Sequence, residues 1–181
     1  METAIALLRG VNLGARRVSS ADLRGAFEAL GLEKVRTLQA AGNLVFAASG
    51  EGAEALETRA ESVLAERLGF TTEVFIRTAR EWGEMIAANP FGEAARNDPG
   101  HLVAMVLKQA PGAQAAAALA AAVTGREQAK IVGRAAFIHY PDGIGSSPLN
   151  GGRLDRALGV RATGRNWNTV VKLAEMAAAA A

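Results

Sequence analysis

The stretch AIALLRGVN, residues 4–12, decides how the first half of this chain folds. Its apolar run has the length of a strand and ends at an arginine and a glycine. A helical pattern follows, in which Ser19 and Asp22 have the spacing of a capping box. Gly31 ends that pattern, as glycine commonly does after the last turn of a helix. The stretch therefore predicts a buried first strand followed by a helix.

Four further patterns complete the first half. Residues 35–38 and 44–47 are two short strands joined by a turn at Gly42 and Asn43. Residues 53–68 carry a helical apolar stripe, and residues 73–77 form another strand. The order β-α-β-β-α-β is that of the ferredoxin-like fold. We predict a ferredoxin-like subdomain over residues 1–96.

The second half begins at the turn-rich segment 96–100 and predicts a second α+β subdomain over residues 97–181. Its predicted order is β-α-β-β-α-α. The elements are a strand at 102–108, an alanine-rich helix from 111 to 123, strands at 128–132 and 135–140, and helices at 149–158 and from 167. The whole chain is therefore predicted to be an α+β protein of two subdomains.

Composition excludes several classes of protein. The chain has 181 residues, a formal net charge of +2, no cysteine and two histidines. Disulfides, thiolate chemistry and cysteine- or histidine-rich metal sites are therefore excluded, and we expect no cofactor. The N-terminus lacks the basic segment and apolar length of a signal peptide, and no stretch is long enough to span a membrane. We predict a cytoplasmic protein without a membrane partner.

The first polar cluster follows the first strand and contains Arg9 and Asn12. In a ferredoxin-like sheet the end of strand one lies beside the start of strand three, which brings Asn43 close. Arg16 and Arg17 belong to the same loop, and the helix start at Ser19 adds backbone N–H groups. This pattern is typical of an anion site, although Asn43 beside a glycine is also a common turn former.

The second polar cluster consists of Arg165, Asn166 and Trp167, which directly precede the last helical pattern. Asn166 has the residue type of a helix N-cap, and Trp167 is as suited to packing as to stacking on a ligand. Three donor-rich side chains, Arg165, Asn166 and Asn168, surround this tryptophan and make the helix start the second candidate for ligand binding.

The loop 142–147 and the strand before it supply secondary candidates. Ser146 and Ser147 follow two glycines and precede a helix, which is typical of a phosphate cradle or of a plain helix cap. Ser147-Pro148 has the pattern of an N-cap and first helical residue. His139 and Tyr140 end the preceding strand and are further candidates for binding. The alternative is that His139 has a purely structural role.

Seven motifs in order resemble the bacterial domain of unknown function 1697 family from the first strand to the last helix. They are LRGVNLG (8–14), DLR (22–24), VRT (35–37), GNLVF (42–46), ANPF (88–91), HYPDGIG (139–145) and RNWNTVVKL (165–173). The resemblance implies a two-subdomain α+β fold with a ferredoxin-like first half, and no established activity. Two departures from the family pattern remove polar or basic side chains: Ala40 and Ala41, where the family has Gln-Ser, and residues 145–148, where it has Gly-Arg-Ser-Lys.

These observations favour a binding protein for a small anionic or nucleotide-like ligand, held in a cleft between the subdomains by the two polar clusters. No complete catalytic motif is present, so no catalysis is assumed. One alternative is an acylphosphatase-like phosphoryl hydrolase. This rests on analogy alone: acylphosphatases also have an arginine loop after the first strand and an asparagine on a neighbouring strand. Another is nucleic-acid binding through Arg16, Arg17, Arg24 and Arg36. The sequence does not predict an oligomeric state.

Overall fold

The computed structural model describes residues 1–14, 17–39, 41–48 and 50–180. The chain divides into two compact units. The first comprises Met1–Glu84 and Lys172–Ala181, and the second comprises Met85–Val171. Within the described residues, no helix combines the length and the hydrophobicity needed to cross a membrane.

The first unit contains a four-stranded antiparallel sheet in the order β2-β3-β1-β4. Its strands are β1 (Glu2–Leu8), β2 (Glu33–Thr37), β3 (Asn43–Ala48) and β4 (Val74–Thr78). Helices α1 (Ser20–Glu28) and α2 (Ala53–Leu68) connect them, and α3 (Ala79–Ala87) follows β4. This strand order and connectivity confirm the predicted ferredoxin-like fold.

The apolar run of β1 is buried on both faces of the sheet. Ala4, Ala6 and Leu8 belong to the core that β1 forms with α1 and α2. Ile5 and Leu7 point to the opposite face and are also fully buried. A strand buried on both sides needs a continuous apolar run rather than an alternating one, which is why residues 4–8 are all apolar.

The second unit contains another antiparallel sheet, in the order β6-β7-β5-β8. Its strands are β5 (Leu102–Leu107), β6 (Gln128–Val132), β7 (Ala135–His139) and β8 (Ala162–Asn166). Its helices are α4 (Gly92–Asn97), α5 (Ala115–Ala122) and α6 (Gly151–Leu158), with one 3-10 turn at Ile144–Ser146. Helix α7 (Trp167–Ala178) begins in this unit, and its residues from Lys172 onward belong to the first unit. The connectivity from β5 to β8 matches that from β1 to β4, so both units are ferredoxin-like.

Strand β8 is the element that the predicted order β-α-β-β-α-α lacks. Its sequence, Ala-Thr-Gly-Arg-Asn, has no apolar alternation, and it becomes a strand by pairing with β5. A Cβ on Gly164 would lie 2.5 Å from Met105 Sδ and 2.9 Å from Val103 Cγ1, so a side chain at this point of the edge strand would have to displace both neighbours. Tertiary pairing, rather than local propensity, forms this strand.

Two predicted helix starts differ from the structure. Helix α5 begins at Ala115 rather than at residue 111, and α6 takes Asn150, not Ser147, as its N-cap. The Ser147 hydroxyl instead accepts a hydrogen bond from Leu149 N at 3.0 Å and donates one to Glu127. Serine therefore stabilises the turn before α6 rather than the helix itself.

Candidate functional site

The loop between β1 and α1 is tied by its first residue, Arg9, to the segment that directly precedes β4. Arg9 N donates to Glu73 O at 3.0 Å, and the Thr72 hydroxyl donates to Arg9 O at 2.7 Å. The guanidinium Nε lies 4.0 Å from Glu73 Oε2, at the outer limit of an ion pair, and the side chain is 25% exposed. The Arg9 backbone is thus fixed, while its side chain keeps access to solvent.

Asn12 shapes the middle of this loop. Its φ is 57°, and the φ angles of Gly10 and Gly14 are 68° and 59°. Its side-chain Oδ1 accepts a hydrogen bond from Val18 N at 2.8 Å, which closes the loop across six residues. Asparagine tolerates the left-handed region better than most residues, so it suits both tasks at this position.

The start of α1 is already occupied by its own capping box. Ser19 Oγ accepts from Asp22 N at 3.0 Å, and Asp22 Oδ2 accepts from Ser19 N at 3.4 Å and from Ser19 Oγ at 2.6 Å. The predicted capping box is confirmed. Because the Asp22 carboxylate sits at the helix start, we assign no anion-binding role to the backbone N–H groups at Ser19.

Asn43 lies beside this loop but is buried. It pairs with Leu7 of β1, and the preceding residue, Gly42, accepts from Leu8 N at 2.8 Å. Its side chain is 1% exposed and donates to Leu38 O at 3.2 Å. The strand order thus brings Asn43 next to the Arg9 loop as predicted, but its amide holds the β2–β3 turn together.

Several other predicted residues of the first half differ in exposure and position. Arg17 is exposed at the end of the β1–α1 loop, and Arg24 and Arg36 are exposed on α1 and β2. Arg16 and Ala40 lie outside the described residues. The three described arginines among those considered for nucleic-acid binding therefore lie on three different segments of the chain.

Arg165 is held within the second sheet, on β8. Its Nη1 donates to Thr163 Oγ1 at 3.0 Å and to Gly164 O at 2.8 Å. Burial lowers the pKa of this guanidinium to about 10, because desolvation disfavours the charged form. Arg165 therefore has the environment of an internal structural residue.

The next two residues begin the last helix. Asn166 is exposed, and its Oδ1 accepts from Thr169 N at 3.0 Å, which is the hydrogen bond of an N-cap. Trp167 is only 7% exposed, and its ring centroid lies 6.4 Å from that of Phe137. These contacts match the capping and packing alternatives, and they leave little of the indole face for a ligand.

The two histidines of the chain share one carboxylate, which sequence reasoning missed. His139 Nε2 lies 2.9 Å from Asp98 Oδ2, and His101 Nδ1 lies 2.9 Å from Asp98 Oδ1. The hydrogen bond from His139 makes the largest contribution to lowering the pKa of Asp98. The charges of both histidines and the hydrogen bond from His101 lower it further. Pairing of Leu102 with His139 brings the three side chains together. A shared carboxylate orients both imidazoles, as acid–base sites require, although structural clusters do the same.

A cavity of about 200 Å³ lies beside the loop after β7. Tyr140, Ser146 and Ser147 line it, together with Arg126, Glu127 and Asp142. Arg126 donates to both carboxylate oxygens of Asp142, at 2.9 and 2.5 Å, and this pairing lowers the pKa of Asp142. Ser146 Oγ donates to Asp142 O at 2.7 Å, and Tyr140 OH donates to Leu149 O at 2.7 Å.

Two carboxylates against one guanidinium disfavour an anion in this cavity. The Ser147 hydroxyl lowers the pKa of Glu127 by hydrogen bonding to its carboxylate, so Glu127 is charged near neutral pH. The phosphate cradle predicted for Ser146 and Ser147 gains no support from these contacts. Among the described residues, no group of three histidine or carboxylate side chains is arranged to hold a metal ion.

The predicted residues fall into two groups, one in each unit. Arg9, Asn12 and Asn43 lie at one end of the first sheet. In the second sheet, β5 pairs with both His139 and Asn166, so the second group also shares one sheet end. The idea that both groups line one cleft stays a prediction.

Comparison with known proteins supports the family resemblance. A family model described as "Protein of unknown function (DUF1697)" matches residues 1–137 of the 181 residues. The fold is similar to "The structure of conserved bacterial protein SP0830 from Streptococcus pneumoniae", with a TM-score of 0.77, 19% identity, and coverage of 97% of this chain and 98% of that chain. At this identity the similarity concerns the fold alone. No curated protein matches the chain.

Proposed function

Since the chain belongs to the DUF1697 family of proteins of unknown function, we propose its function from its own residues: it binds a small anionic ligand at the β1–α1 loop, between Arg9 and Arg17. The observation that carries this proposal is the backbone conformation of the loop. Gly10, Asn12 and Gly14 have left-handed φ angles, whereas the residues between them do not. In turns of this kind, successive backbone N–H groups can point toward one concave side, where an anion is bound.

The charges of the loop favour the same ligand. Arg9 and Arg17 carry the two described guanidinium groups of this segment, and Arg17 is exposed. Two carboxylates lie at the ends of this segment: Glu73, 4.0 Å from Arg9 Nε, and Asp22, bonded to Ser19 at the start of α1. A guanidinium matches the geometry of phosphate and carboxylate oxygens, so Arg9 can hold an anion that reaches the loop backbone.

The contacts favour simple anion binding over its alternatives. An acylphosphatase-like reaction would use the Asn43 amide, which is buried and donates to Leu38 O. Recognition of a nucleotide base would need an exposed aromatic face, and Trp167 has little exposed area. We therefore propose that the site recognises only the phosphate or carboxylate group of its ligand, and not a nucleotide base.

The proposal is tested by titrating the full chain with inorganic phosphate at low ionic strength and following backbone amide shifts by NMR. We expect the largest shifts at residues 10–14, and about tenfold weaker binding in Arg9→Gln and in Arg17→Gln, because each loses one charge-assisted contact. Arg80→Gln is the control, since Arg80 is exposed and pairs with Glu84 on α3.

Two results would contradict this function. One is the absence of any phosphate-dependent shift in the loop of the unaltered protein. The other is an equal loss of affinity in Arg80→Gln, which would show that only the overall charge of the protein matters.

A further inference from the structure

The cavity beside the loop after β7 is lined by residues of the second unit. Its volume of about 200 Å³ is smaller than the roughly 300–1,000 Å³ of sites that hold drug-sized molecules. Residues 140–143 of the motif HYPDGIG form part of the lining, and residues 124–127 and 146–148 form the rest. The cavity therefore has the size of a site for a small molecule, and the proposed phosphate binding at the β1–α1 loop uses none of its residues.

The ion pair between Arg126 and Asp142 adds no net charge to this lining. Arg126 Nε and Nη2 donate to the two oxygens of the Asp142 carboxylate, at 2.9 and 2.5 Å. The two side chains are 70% and 59% exposed, so the pair lies at the outer part of the cavity. Since these opposite charges neutralise each other, the net charge of the lining is that of its remaining carboxylate, Glu127.

Glu127 is a half-buried carboxylate whose hydrogen-bond donors are neutral. Its Oε1 accepts from the Ser147 hydroxyl, and its Oε2 accepts from Gly125 N at 3.0 Å. The bond from Ser147 contributes most to lowering the pKa of Glu127, and desolvation and the charge of Asp142 oppose this shift without reversing it. Among the described residues, no basic side chain lies within ion-pair distance of Glu127. The cavity thus holds a negative charge that these residues leave without a cationic partner.

Three hydroxyl groups of the lining have acceptor capacity left but no hydrogen to donate. Ser146 Oγ and Tyr140 OH each donate to a backbone carbonyl oxygen at 2.7 Å, and Ser147 Oγ donates to Glu127. A hydroxyl has one hydrogen and two lone pairs, so each of these oxygens can still accept a hydrogen bond. A ligand that only donates hydrogen bonds therefore fits this lining better than one that brings acceptor oxygens.

We propose that this cavity binds a small molecule with a primary ammonium group, whose counter-ion is the Glu127 carboxylate. An ammonium has three N–H donors and no acceptor, which matches a carboxylate and hydroxyl lone pairs. Half-burial weakens the hydration of Glu127 and strengthens its attraction for a bound cation. Among the described residues, no three histidine or carboxylate side chains are arranged to hold a metal ion, so an organic cation fits better than a divalent metal.

The proposal is tested by titrating the full chain with methylammonium chloride at neutral pH and following backbone amide shifts by NMR. Tetramethylammonium chloride keeps the ionic strength constant, because its cation has the same charge but no N–H group. We expect the largest shifts at residues 125–127 and 143–147. Binding should be about tenfold weaker in Glu127→Gln, which loses the charge but keeps an acceptor for Ser147. Glu93→Gln is the matched control, since it removes one exposed carboxylate from the same unit.

Arg126→Gln tests which sign of charge the cavity prefers. The variant leaves the Asp142 carboxylate without its guanidinium, so the affinity for methylammonium should rise or stay unchanged. Because the Arg126 side chain is mostly exposed, we expect the variant to fold, and the amide spectrum of each variant checks this. A loss of affinity in Arg126→Gln would show that the cavity holds the accompanying chloride, which would overturn the proposal.

Other results would also overturn it. They are the absence of methylammonium-dependent shifts at the cavity, equal shifts with tetramethylammonium alone, unchanged affinity in Glu127→Gln, and an equal loss in Glu93→Gln. Tighter binding of potassium than of methylammonium would overturn the choice of an ammonium group. Arg9→Gln should leave methylammonium binding unchanged, so failure of this proposal and failure of phosphate binding at the β1–α1 loop are distinguishable.

Discussion

Arg77 and Arg165 occupy the same place in the two ferredoxin-like units. Each is the penultimate residue of its unit's fourth strand, and each donates through Nη1 to the carbonyl of the residue before it, at 2.7 and 2.8 Å. The residue that follows caps the next helix: Thr78 Oγ1 accepts from Glu81 N, and Asn166 Oδ1 accepts from Thr169 N. An arginine bonded to the preceding strand carbonyl therefore comes before a helix cap in both units, buried at Arg77 and half-buried at Arg165.

Replacing Arg77 by methionine is expected to destabilise the protein by about 3–5 kcal/mol, the usual cost of breaking a buried ion pair. Arg77 Nη1 lies 3.9 Å from Glu57 Oε1, and both side chains are almost completely buried. The variant would leave the Glu57 carboxylate buried without this guanidinium. Urea unfolding followed by circular dichroism measures the change in the free energy of unfolding.

Arg80→Met is the matched control for Arg77. Arg80 is exposed on helix α3, directly after β4, and pairs with Glu84 at 3.0 Å, so we expect a loss of less than about 1 kcal/mol. Adding Glu57→Gln to Arg77→Met should recover part of the stability, because it removes the buried charge. Equal effects of the two arginine substitutions would show that the Arg77–Glu57 pair has no special weight.

Gly42→Ala is expected to cost about 2–4 kcal/mol, from a left-handed φ and from overpacking. Gly42 has a φ of 68°, and a Cβ there would lie 2.6 Å from Val11 Cγ2 and 2.8 Å from Leu8 Cβ. The β2–β3 turn would have to move away from the loop that carries Arg9. Thermal and urea unfolding measure the loss.

Gly31→Ala separates the two contributions. Gly31 has a φ of 80° but nothing within 4 Å of an added Cβ, so only the backbone term of about 1–2 kcal/mol remains. If the two alanine variants lose the same stability, close packing between Gly42 and the β1 end contributes nothing.

The first unit could be predicted from sequence because local signals and tertiary structure agree there. Residues 53–68 match helix α2 as predicted, and Ser19 forms the predicted capping box. Strand β8 was missed because Ala162–Asn166 carries a glycine and an arginine at its centre and no apolar alternation. Its place is set by pairing with β5, which no local pattern encodes.

The candidate site was predictable only where topology acts over short distances. Strand order placed Asn43 beside the β1 end, but burial and the bond to Leu38 O are tertiary facts that the Gly-Asn pair does not reveal. The Asp98, His101 and His139 cluster joins residues 41 positions apart. Its one sequence signal was that the chain contains only two histidines, each at the edge of a predicted strand.

The single tyrosine of the chain is expected to resist ionisation in the folded protein. Burial, and after it the charge of Glu127, raises the pKa of Tyr140. A folded pKa above the unfolded value of about 10 stabilises the fold fully below that pH, and the contribution is lost as pH rises beyond it. Phenolate absorbance should therefore appear near pH 10 only in denaturant, and at higher pH in the native protein.

Tyr140→Phe tests the hydrogen bond of the same residue. It removes the donor to Leu149 O and leaves that buried carbonyl without its phenolic partner, at a cost of about 1–2 kcal/mol. In the unaltered protein, titration of Tyr140 near pH 10 under native conditions would contradict the burial of this hydroxyl next to Leu149.

Asp98→Asn is expected to change how stability depends on acid pH. The hydrogen bond from His139, and after it the charge and bond of His101, lowers the pKa of Asp98 in the folded protein despite opposing desolvation. A carboxylate with a folded pKa below its unfolded value stabilises the fold above the unfolded pKa of about 3.9. That contribution is lost as pH falls through the lower, folded value. The wild-type protein should therefore be more stable than Asp98→Asn at pH 5, and the difference should shrink toward pH 2.

His139→Gln shows whether the histidine bond causes this pH dependence. His139 Nε2 makes the bond to Asp98 Oδ2 at 2.9 Å, so its removal should take away most of the effect on Asp98 while leaving the carboxylate in place. Asp142→Asn is the matched carboxylate control, since the pKa of Asp142 is lowered by Arg126 instead and its acid dependence should survive His139→Gln. Melting temperatures measured from pH 2 to 6 for these variants decide the matter. If His139→Gln leaves the acid transition of Asp98 unchanged, the shared carboxylate does not couple the two histidines to the stability of the second sheet.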